Sequence, residues 1–281
     1  MPQSLTAEIY SSGLSFFEQS LERKLAWASN EAHQGPAGYI RLFGETVGKT
    51  RGGAYQPDVS ESLSFAEPAA QGGLDGRRWP QTPPGLPELA KRYALCACDL
   101  GHRLMRLSAL ALDLPEDYFE PFYSPMSHLL RLAYYPEQLA DPAPGQLRNA
   151  AHTDFGGFTI LRQDDAPGGL QVLTPNGDWI DVPATPGALV INTGDLIQRW
   201  TNDRWISNLH RVVNPPRHHN GPTRRLSIVM FTGPRPDAEI ACLPTCQTPE
   251  RPARYAPTLA SDHINLKLAQ TYGSPETEYR A

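Results

Sequence analysis

The chain is poor in features that mark several common classes of protein. Its 281 residues include four cysteines, Cys96, Cys98, Cys242 and Cys246, and neither pair has the two-residue spacing common in structural zinc sites. So few cysteines in a chain of this length exclude a disulfide framework, and we expect buried thiols. Lysine and arginine total 25 against 30 acidic residues, a formal charge of −5. The basic excess that drives binding to nucleic-acid phosphates is therefore missing.

Long hydrophobic runs are also missing. No apolar stretch reaches membrane-spanning length, and no basic start leads into an apolar segment. We therefore expect a soluble, cytoplasmic protein that binds neither nucleic acid nor membrane, and the sequence leaves its oligomeric state open. Hydrophobic residues at 40% and charged residues at 20% lie near the globular average, so the chain can bury a sizeable core.

Glycine and proline are plentiful, with 23 and 28 residues spread along the chain. This abundance favours short strands joined by turns and disfavours an all-α fold. The segment 35–87 is especially rich in turn signals and predicts long loops with a few short elements. Region by region, we expect a helical and loop segment over residues 1–126 that packs on a β core over 127–240. A C-terminal extension with a closing helix follows over 241–281.

Helical periodicity predicts three helices. The first has an apolar stripe made of Leu14, Phe17, Leu21 and Leu25. The second begins at Pro87 and ends by Pro115, and its stripe consists of Leu89, Tyr93, Cys96, Leu100, Leu107 and Ala111. The third spans 259–272, with Ser261 or Asp262 as its cap and Ile264 and Leu268 facing inward.

After Ser127 the period changes from helical to alternating, which predicts strands. The candidate strands, separated by turn signals such as Asn176-Gly177, are residues 128–135, 158–163, 169–173, 179–182, 188–192, 206–213 and 225–231. Short strands at near-regular intervals predict a double-sheet jelly roll. We therefore expect a mainly β fold, a double-stranded β-helix braced by N-terminal and C-terminal helices.

A candidate metal site begins with His152 and Asp154, two residues apart. On an extended backbone this spacing directs both side chains to one face. Alone the pair is a weak signal, because single histidines usually have structural roles. His210 supplies a third ligand from a strand-like run. Two imidazoles and one carboxylate leave three positions of an octahedral ion open for substrate, a chelator or oxygen.

A candidate anion site follows at Arg225 and Ser227, again two residues apart on a predicted strand. Arginine can bind a carboxylate through two charge-assisted hydrogen bonds, and serine can add another donor. A surface salt bridge at the start of a strand is the alternative for the arginine. The order of the motifs on successive strands favours the anion site.

With these motifs the chain resembles the iron(II)- and 2-oxoglutarate-dependent dioxygenases of the isopenicillin N synthase-like superfamily. The resemblance covers residues 14–236 and includes the framing segments 186–195 and 210–214. It implies that His152, Asp154 and His210 bind iron, and that Arg225 and Ser227 hold the distal carboxylate of 2-oxoglutarate. Because the resemblance begins near Leu14, we expect the chain to lack the strand and helix with which the family usually opens.

Two further residues are singled out by the resemblance alone. Tyr135 matches a position where the family often has a second hydroxyl for the distal carboxylate, although plant members often have Asn where this chain has Ala133. A tyrosine in the barrel wall is the alternative. Phe231 matches a position that often contacts substrate, and a buried core phenylalanine is its alternative.

The activity implied is hydroxylation, or desaturation, of a small-molecule metabolite in specialised metabolism. It would require Fe(II), O2 and 2-oxoglutarate, which is decarboxylated to succinate and CO2, with ascorbate as the reductant in vitro. Two other interpretations stay open. One is an oxidase of the same architecture that takes its electrons from the substrate, whose carboxylate Arg225 and Ser227 would bind. The other is a jelly-roll binding module or zinc enzyme without redox chemistry.

Overall fold

The computed structural model describes residues 1–28, 37–53, 55–66, 82–217 and 219–272. Its helices are α1 (Gln3–Phe17), α2 (Leu21–Leu25), α3 (Leu86–Ala111), α4 (Glu120–Tyr123), α5 (Asp195–Trp200) and α6 (Ala260–Tyr272). Its strands are β1 (Gly38–Ile40), β2 (Glu61–Ala66), β3 (Ser127–Tyr135), β4 (Asn149–His152), β5 (Phe158–Arg162), β6 (Gly169–Leu173), β7 (Trp179–Asp181), β8 (Val190–Thr193), β9 (His210–Val213), β10 (Arg225–Gly233), β11 (Glu239–Ile240) and β12 (Thr258–Leu259). Residues 67–81 of the predicted loop region lie outside the described residues.

Two antiparallel sheets form the jelly roll that the sequence predicts. The larger has six strands in the order β1-β2-β3-β10-β5-β8, and the smaller has four in the order β4-β9-β6-β7. Strands β1 and β2 come from the segment before Ser127, so this segment contributes to the larger sheet. Among the described helices, none has the length and apolar character needed to cross a bilayer.

Side chains alternate along a strand, so one face of the larger sheet packs in the hydrophobic core and the other lines a cavity. On β3 and β10 one face is formed by Leu130, Leu132, Tyr134, Leu226, Ile228 and Met230, which belong to the main hydrophobic core with residues of α1 and α3. The residues between them line an internal cavity. A second core surrounds Trp200 of α5 and joins α4 and α6 to the barrel. Packing on one face thus fixes which side chains reach the cavity.

The first predicted helix is wrong in its extent. Helix α1 ends at Phe17, and Leu21 and Leu25 of the expected stripe are 53% and 46% exposed. Lys24 is buried in their place because its ammonium group lies 2.7 Å from a carboxylate oxygen of Glu61 and 3.3 Å from the carbonyl of Phe17. The short helix α2 therefore buries Lys24, whose charge is paired, and leaves the two leucines of the expected stripe in solvent.

The second predicted helix occurs as α3, and its expected stripe packs on the core except at Leu107 and Ala111, which are exposed. Tyr93 is buried as expected, whereas Leu107 is 63% exposed. The buried positions include Ala90, Ala97 and Gly101, and a Cβ at Gly101 would lie 3.0 Å from Met126 Cε. Small residues at these positions let the helix lie close to the barrel, and Leu89 and Leu100 of the expected stripe pack partly buried against the same core.

Several smaller elements also differ from expectation. The sequence does not predict strands β1, β2 and β4 or helix α5, and the strand expected over 206–213 begins only at His210. The closing helix begins at Ala260, so Ser261 and Asp262 lie in its first turn and not at its cap. Strands β1 and β4 have only three and four residues, too few to show a period. Strand β2 does alternate, with Leu63 and Phe65 in the core, but it lies in a segment whose turn signals predict loops.

Candidate metal centre

Two neighbouring strands of the smaller sheet bring the candidate histidines together. His152 is the last residue of β4 and pairs directly with His210, the first residue of β9. Their rings lie 4.3 Å apart between centroids. Asp154 lies beyond the end of β4, so the expectation that both residues of the pair sit on a strand is half right. Its backbone carbonyl accepts a hydrogen bond from the amide of Asp195 at 2.8 Å.

The three side chains point at one another. Oδ1 of Asp154 lies 3.8 Å from Nε2 of His152 and 3.7 Å from Nε2 of His210. One possible ligand atom from each residue lies within 4.8 Å of the others. This arrangement matches a face of two imidazoles and one carboxylate around one metal ion.

Hydrogen bonds to the backbone set the tautomer of both histidines. Nδ1 of His152 lies 2.8 Å from the carbonyl of Ala150, and Nδ1 of His210 lies 3.0 Å from the carbonyl of Asn208. Because a carbonyl oxygen only accepts, each Nδ1 carries a proton and donates. Each Nε2 then has its lone pair free and directed towards Asp154, which is the form that binds a metal.

Two polar neighbours orient the carboxylate. The hydroxyl of Thr159 and the amide of Asn192 each donate to Oδ2 of Asp154 at 2.6 Å. Both donors hold Oδ2, so Oδ1 is left facing the imidazoles. Neither donor is assigned a role from the sequence, although Asn192 lies in the framing segment 186–195 and Thr159 lies on a predicted strand.

Electrostatics favour the ligand forms of these groups. Burial, reinforced by the neighbouring His210, lowers the pKa of His152 well below its usual range. For Asp154 burial acts to raise the pKa, but the two imidazoles and the hydrogen bonds from Thr159 and Asn192 outweigh it and lower the pKa. A neutral imidazole and an ionised carboxylate are the protonation states that metal binding requires.

The candidate anion site lies on the inward face of β3 and β10. Arg225 pairs in register with Tyr135, and its guanidinium is buried. Nη2 donates to Oε1 of Gln163 at 2.7 Å and Nη1 to the carbonyl of Ala166 at 3.2 Å. Within the part of the chain that the structure describes, Nε of Arg225 is buried with no hydrogen-bond partner. Nη1 also lies 3.8 Å from Oδ1 of the buried Asp164, so the ion pair at this strand start is internal, and Nε is the donor left for an anionic ligand.

The two residues singled out only by resemblance also face the cavity. Burial raises the pKa of Tyr135, so its phenol stays protonated and can donate. Phe231 lines the cavity wall and pairs in register with Thr159. The cavity has a volume of about 740 Å³. It brings together every site residue proposed from the sequence, namely His152, Asp154, His210, Arg225, Ser227, Tyr135 and Phe231.

Comparisons with known proteins agree with this geometry. The family model described as the 2OG-Fe(II) oxygenase superfamily matches residues 126–234. The 2-oxoglutarate-Fe(II) type oxidoreductase hxnY of Emericella nidulans is 32% identical over 292 residues, which cover 98% of this chain and 80% of that protein. The homoarginine-6-hydroxylase 2-ODD-C23 of Glycine max is 33% identical over 265 residues, covering 88% of this chain and 75% of that one.

A solved structure gives the same result for the fold. A full-length protein of Neurospora crassa, crystallised in complex with alpha-KG and thymine, superposes with a TM-score of 0.83 at 28% sequence identity. The superposition covers 96% of this chain and 84% of that one.

Proposed function

The chain belongs to the 2OG-Fe(II) oxygenase superfamily, and from that premise we propose that it hydroxylates, or desaturates, a small-molecule substrate at this site. Its reaction class is that of an oxygenase dependent on Fe(II), O2 and 2-oxoglutarate. In this proposal His152, Asp154 and His210 hold the iron, and Arg225, Ser227 and Tyr135 bind 2-oxoglutarate. Phe231 contacts the substrate.

The observation that carries the proposal is the convergence of two deprotonated Nε2 atoms and one carboxylate oxygen in a cavity that also contains a buried guanidinium. The donor set fits ferrous iron, since imidazole and carboxylate ligands on one face with open positions are typical of non-haem iron oxygenases. The free Nε of Arg225 fits the distal carboxylate of 2-oxoglutarate.

When bound, iron and 2-oxoglutarate supply the oxidation by O2 of one substrate C–H bond, with release of succinate and CO2. The protein residues position the reactants. Thr159 and Asn192 fix the Asp154 carboxylate, and the Ala150 and Asn208 carbonyls keep both imidazoles in their ligand tautomer. Arg225 neutralises the far end of 2-oxoglutarate, with Ser227 and Tyr135 as additional hydroxyl groups.

The names of the relatives support a small molecule as the substrate, because one relative is named as a hydroxylase of homoarginine and another is bound to thymine. A role in specialised metabolism and a cytoplasmic location stay predictions. The same holds for the absence of nucleic-acid and membrane partners and for the regional boundaries at residues 127 and 240.

The proposal is tested by succinate formation from 2-oxoglutarate under Fe(II), ascorbate and O2, together with the absorbance band that appears when Fe(II) and 2-oxoglutarate are added without oxygen. We expect both signals in the wild type and neither at ordinary 2-oxoglutarate concentrations in Arg225→Ala. The matched control is Arg224→Ala, because Arg224 is the preceding residue and forms an exposed ion pair with Glu18.

Full succinate formation in Arg225→Ala would refute the assignment of Arg225. Oxygen uptake that needs a substrate but no 2-oxoglutarate would instead select the oxidase alternative. Purified protein that contains only zinc and never develops the band would favour the module without redox chemistry.

A further inference from the structure

A second arginine, Arg131, faces the same cavity as Arg225. It lies four residues before Tyr135 on β3, and Tyr135 pairs with Arg225. At about 3.3 Å per residue, the positions of the two arginines are about 13 Å apart along the sheet. Arg131 is therefore separate from the site proposed for the distal carboxylate of 2-oxoglutarate.

Arg131 lies beside the wall that adjoins the metal centre. Its Cζ is 5.9 Å from the centre of the Phe231 ring. Phe231 pairs in register with Thr159, whose hydroxyl donates to Asp154. Arg131 and Phe231 thus border the part of the cavity where a substrate must lie for its C–H bond to be oxidised.

Three segments distant in the sequence meet at this guanidinium. Nη1 of Arg131 lies 3.0 and 3.2 Å from the two carboxylate oxygens of Glu45, and Nη2 donates to the hydroxyl of Tyr272 at 3.0 Å. Nε donates to Oγ of Ser64 at 3.2 Å, and the Tyr272 hydroxyl also donates to Glu45. Tyr272 is the last residue of α6, so this cluster connects the closing helix to the barrel. We name Arg131, Glu45 and Tyr272 the polar wall.

The polar wall is balanced in charge. The side chains of Arg131 and Glu45 are 16% and 9% exposed, and each neutralises the other. Apart from the metal ligands, the 2-oxoglutarate site and the wall, the titratable groups lining the described cavity are Asp58 and His128. Both oxygens of Asp58 already accept backbone amides, and Nδ1 of His128 lies 3.4 Å from the backbone carbonyl of Met126. A charged substrate would be desolvated here without a free counter-charge, and this is costly.

The wall nevertheless retains a hydrogen-bond donor. A guanidinium has five N–H groups, and the bonds to Glu45, Tyr272 and Ser64 use at most four of them. From the charge balance and this remaining donor we infer that the polar wall binds the substrate and selects an uncharged molecule carrying a carbonyl group next to a body that packs on Phe231. This inference rests on the proposed function and specifies the substrate class.

Three probes of one shape test the inference: phenylacetamide, phenylacetate and 2-phenylethylamine, which are neutral, anionic and cationic at pH 7. Each is titrated by calorimetry into enzyme loaded with Fe(II) and 2-oxoglutarate under anaerobic conditions, so that binding is measured without turnover. We expect the amide to bind at least about tenfold more tightly than either charged probe, because neither charge finds a free partner.

Variants of the wall should shift the preference in opposite directions. Glu45→Gln leaves Arg131 without its counter-charge, so phenylacetate should gain about tenfold relative to the amide. Arg131→Gln leaves Glu45 uncompensated and should favour 2-phenylethylamine to a similar extent. The double variant restores neutrality and with it the preference for the amide. Glu18→Gln, at an exposed ion pair, is the control and should change nothing.

The Fe(II) and 2-oxoglutarate absorbance band separates the possible failures. Its absence in the wild type contradicts the proposed function itself. Where the wild type and the variants show the band, they are folded and have bound Fe(II) and 2-oxoglutarate. The binding data then test only the inference about the polar wall. Equal or tighter binding of a charged probe to the wild type, no binding of any probe, or an unchanged preference in Glu45→Gln would each overturn it.

Discussion

Replacing Thr159 by valine removes one donor from Asp154 while nearly preserving the shape of the side chain. Thr159 and Asn192 both donate to Oδ2 of Asp154 at 2.6 Å, and this leaves Oδ1 facing the two imidazoles. With one donor lost, the carboxylate can rotate more freely before the metal binds. We therefore expect Thr159→Val to bind Fe(II) more weakly than the wild type.

The size of the effect follows from the hydrogen bond that is removed. A hydrogen bond to an ionised group contributes about 1.5–3 kcal/mol, and about 1.4 kcal/mol corresponds to a factor of ten in an equilibrium constant. Groups that hold a metal ligand in place typically contribute about 10- to 100-fold to metal affinity. Because Asn192 still binds Oδ2 in the variant, we expect a loss near the lower value, about tenfold.

The assay is an anaerobic calorimetric titration of the apoprotein with Fe(II), and Thr232→Val is the matched control. Thr232 also lines the cavity and donates to a buried carbonyl, that of Phe158, at 2.8 Å, but it does not contact a metal ligand. We expect Thr232→Val to lose about 1 kcal/mol of unfolding free energy and Thr159→Val about 1.5–3 kcal/mol, because only Thr159 donates to an ionised group. Only Thr159→Val should lose metal affinity. Equal Fe(II) affinity in the two variants would refute the role assigned to Thr159.

Two further predictions concern stability. Lys24→Met leaves the buried Glu61 carboxylate without its counter-charge, so the unfolding free energy measured in urea should fall by about 3–5 kcal/mol. The control Arg92→Met, at an exposed ion pair, should cost at most about 1 kcal/mol. Equal losses in the two variants would contradict the role of Lys24. Burial acts to raise the pKa of Asp195, but its contacts with His263 and Lys267 outweigh burial and lower the pKa to about 2. Because this pKa lies below its value in the unfolded chain, the stabilisation is complete above about pH 4 and lost as the pH falls towards 2. Hydrogen exchange of the α6 amides, corrected for intrinsic rates, should become faster as the pH falls over that range. In Asp195→Asn it should already be faster at pH 7. Unchanged protection of α6 in the variant would show that the contacts of Asp195 with His263 and Lys267 do not hold the helix in place.

The metal ligands could be predicted because their signal is local. The spacing of His152 and Asp154 and the strand-like run that contains His210 are both short patterns. They occur in the order that the resembled family shows, followed by Arg225 and Ser227. The pairing that joins the histidines was not predictable in the same way. Strand β4 has only four residues, too few to show a period. The carboxylate of Asp154 is held by hydrogen bonds from two strands of the other sheet, from Thr159 on β5 and Asn192 on β8.

The polar wall shows why the rest of the site could not be predicted. Arg131 occurs in an alternating strand, where a polar residue usually faces water. Its partners Glu45 and Tyr272 are 86 and 141 residues away in the sequence, so only the tertiary fold brings them together. The burial of Lys24 could not be predicted for the same reason, because its partner Glu61 lies 37 residues further along the chain. Charges that are neutralised over long distances in sequence leave no periodic signal.

Anomalous diffraction from crystals grown anaerobically with Fe(II) and 2-oxoglutarate tests the central claim most directly. We expect one iron peak bonded to Nε2 of His152, Nε2 of His210 and Oδ1 of Asp154, with a carboxylate of 2-oxoglutarate on the guanidinium of Arg225. An iron peak at any other place, or 2-oxoglutarate bound away from Arg225, would contradict it.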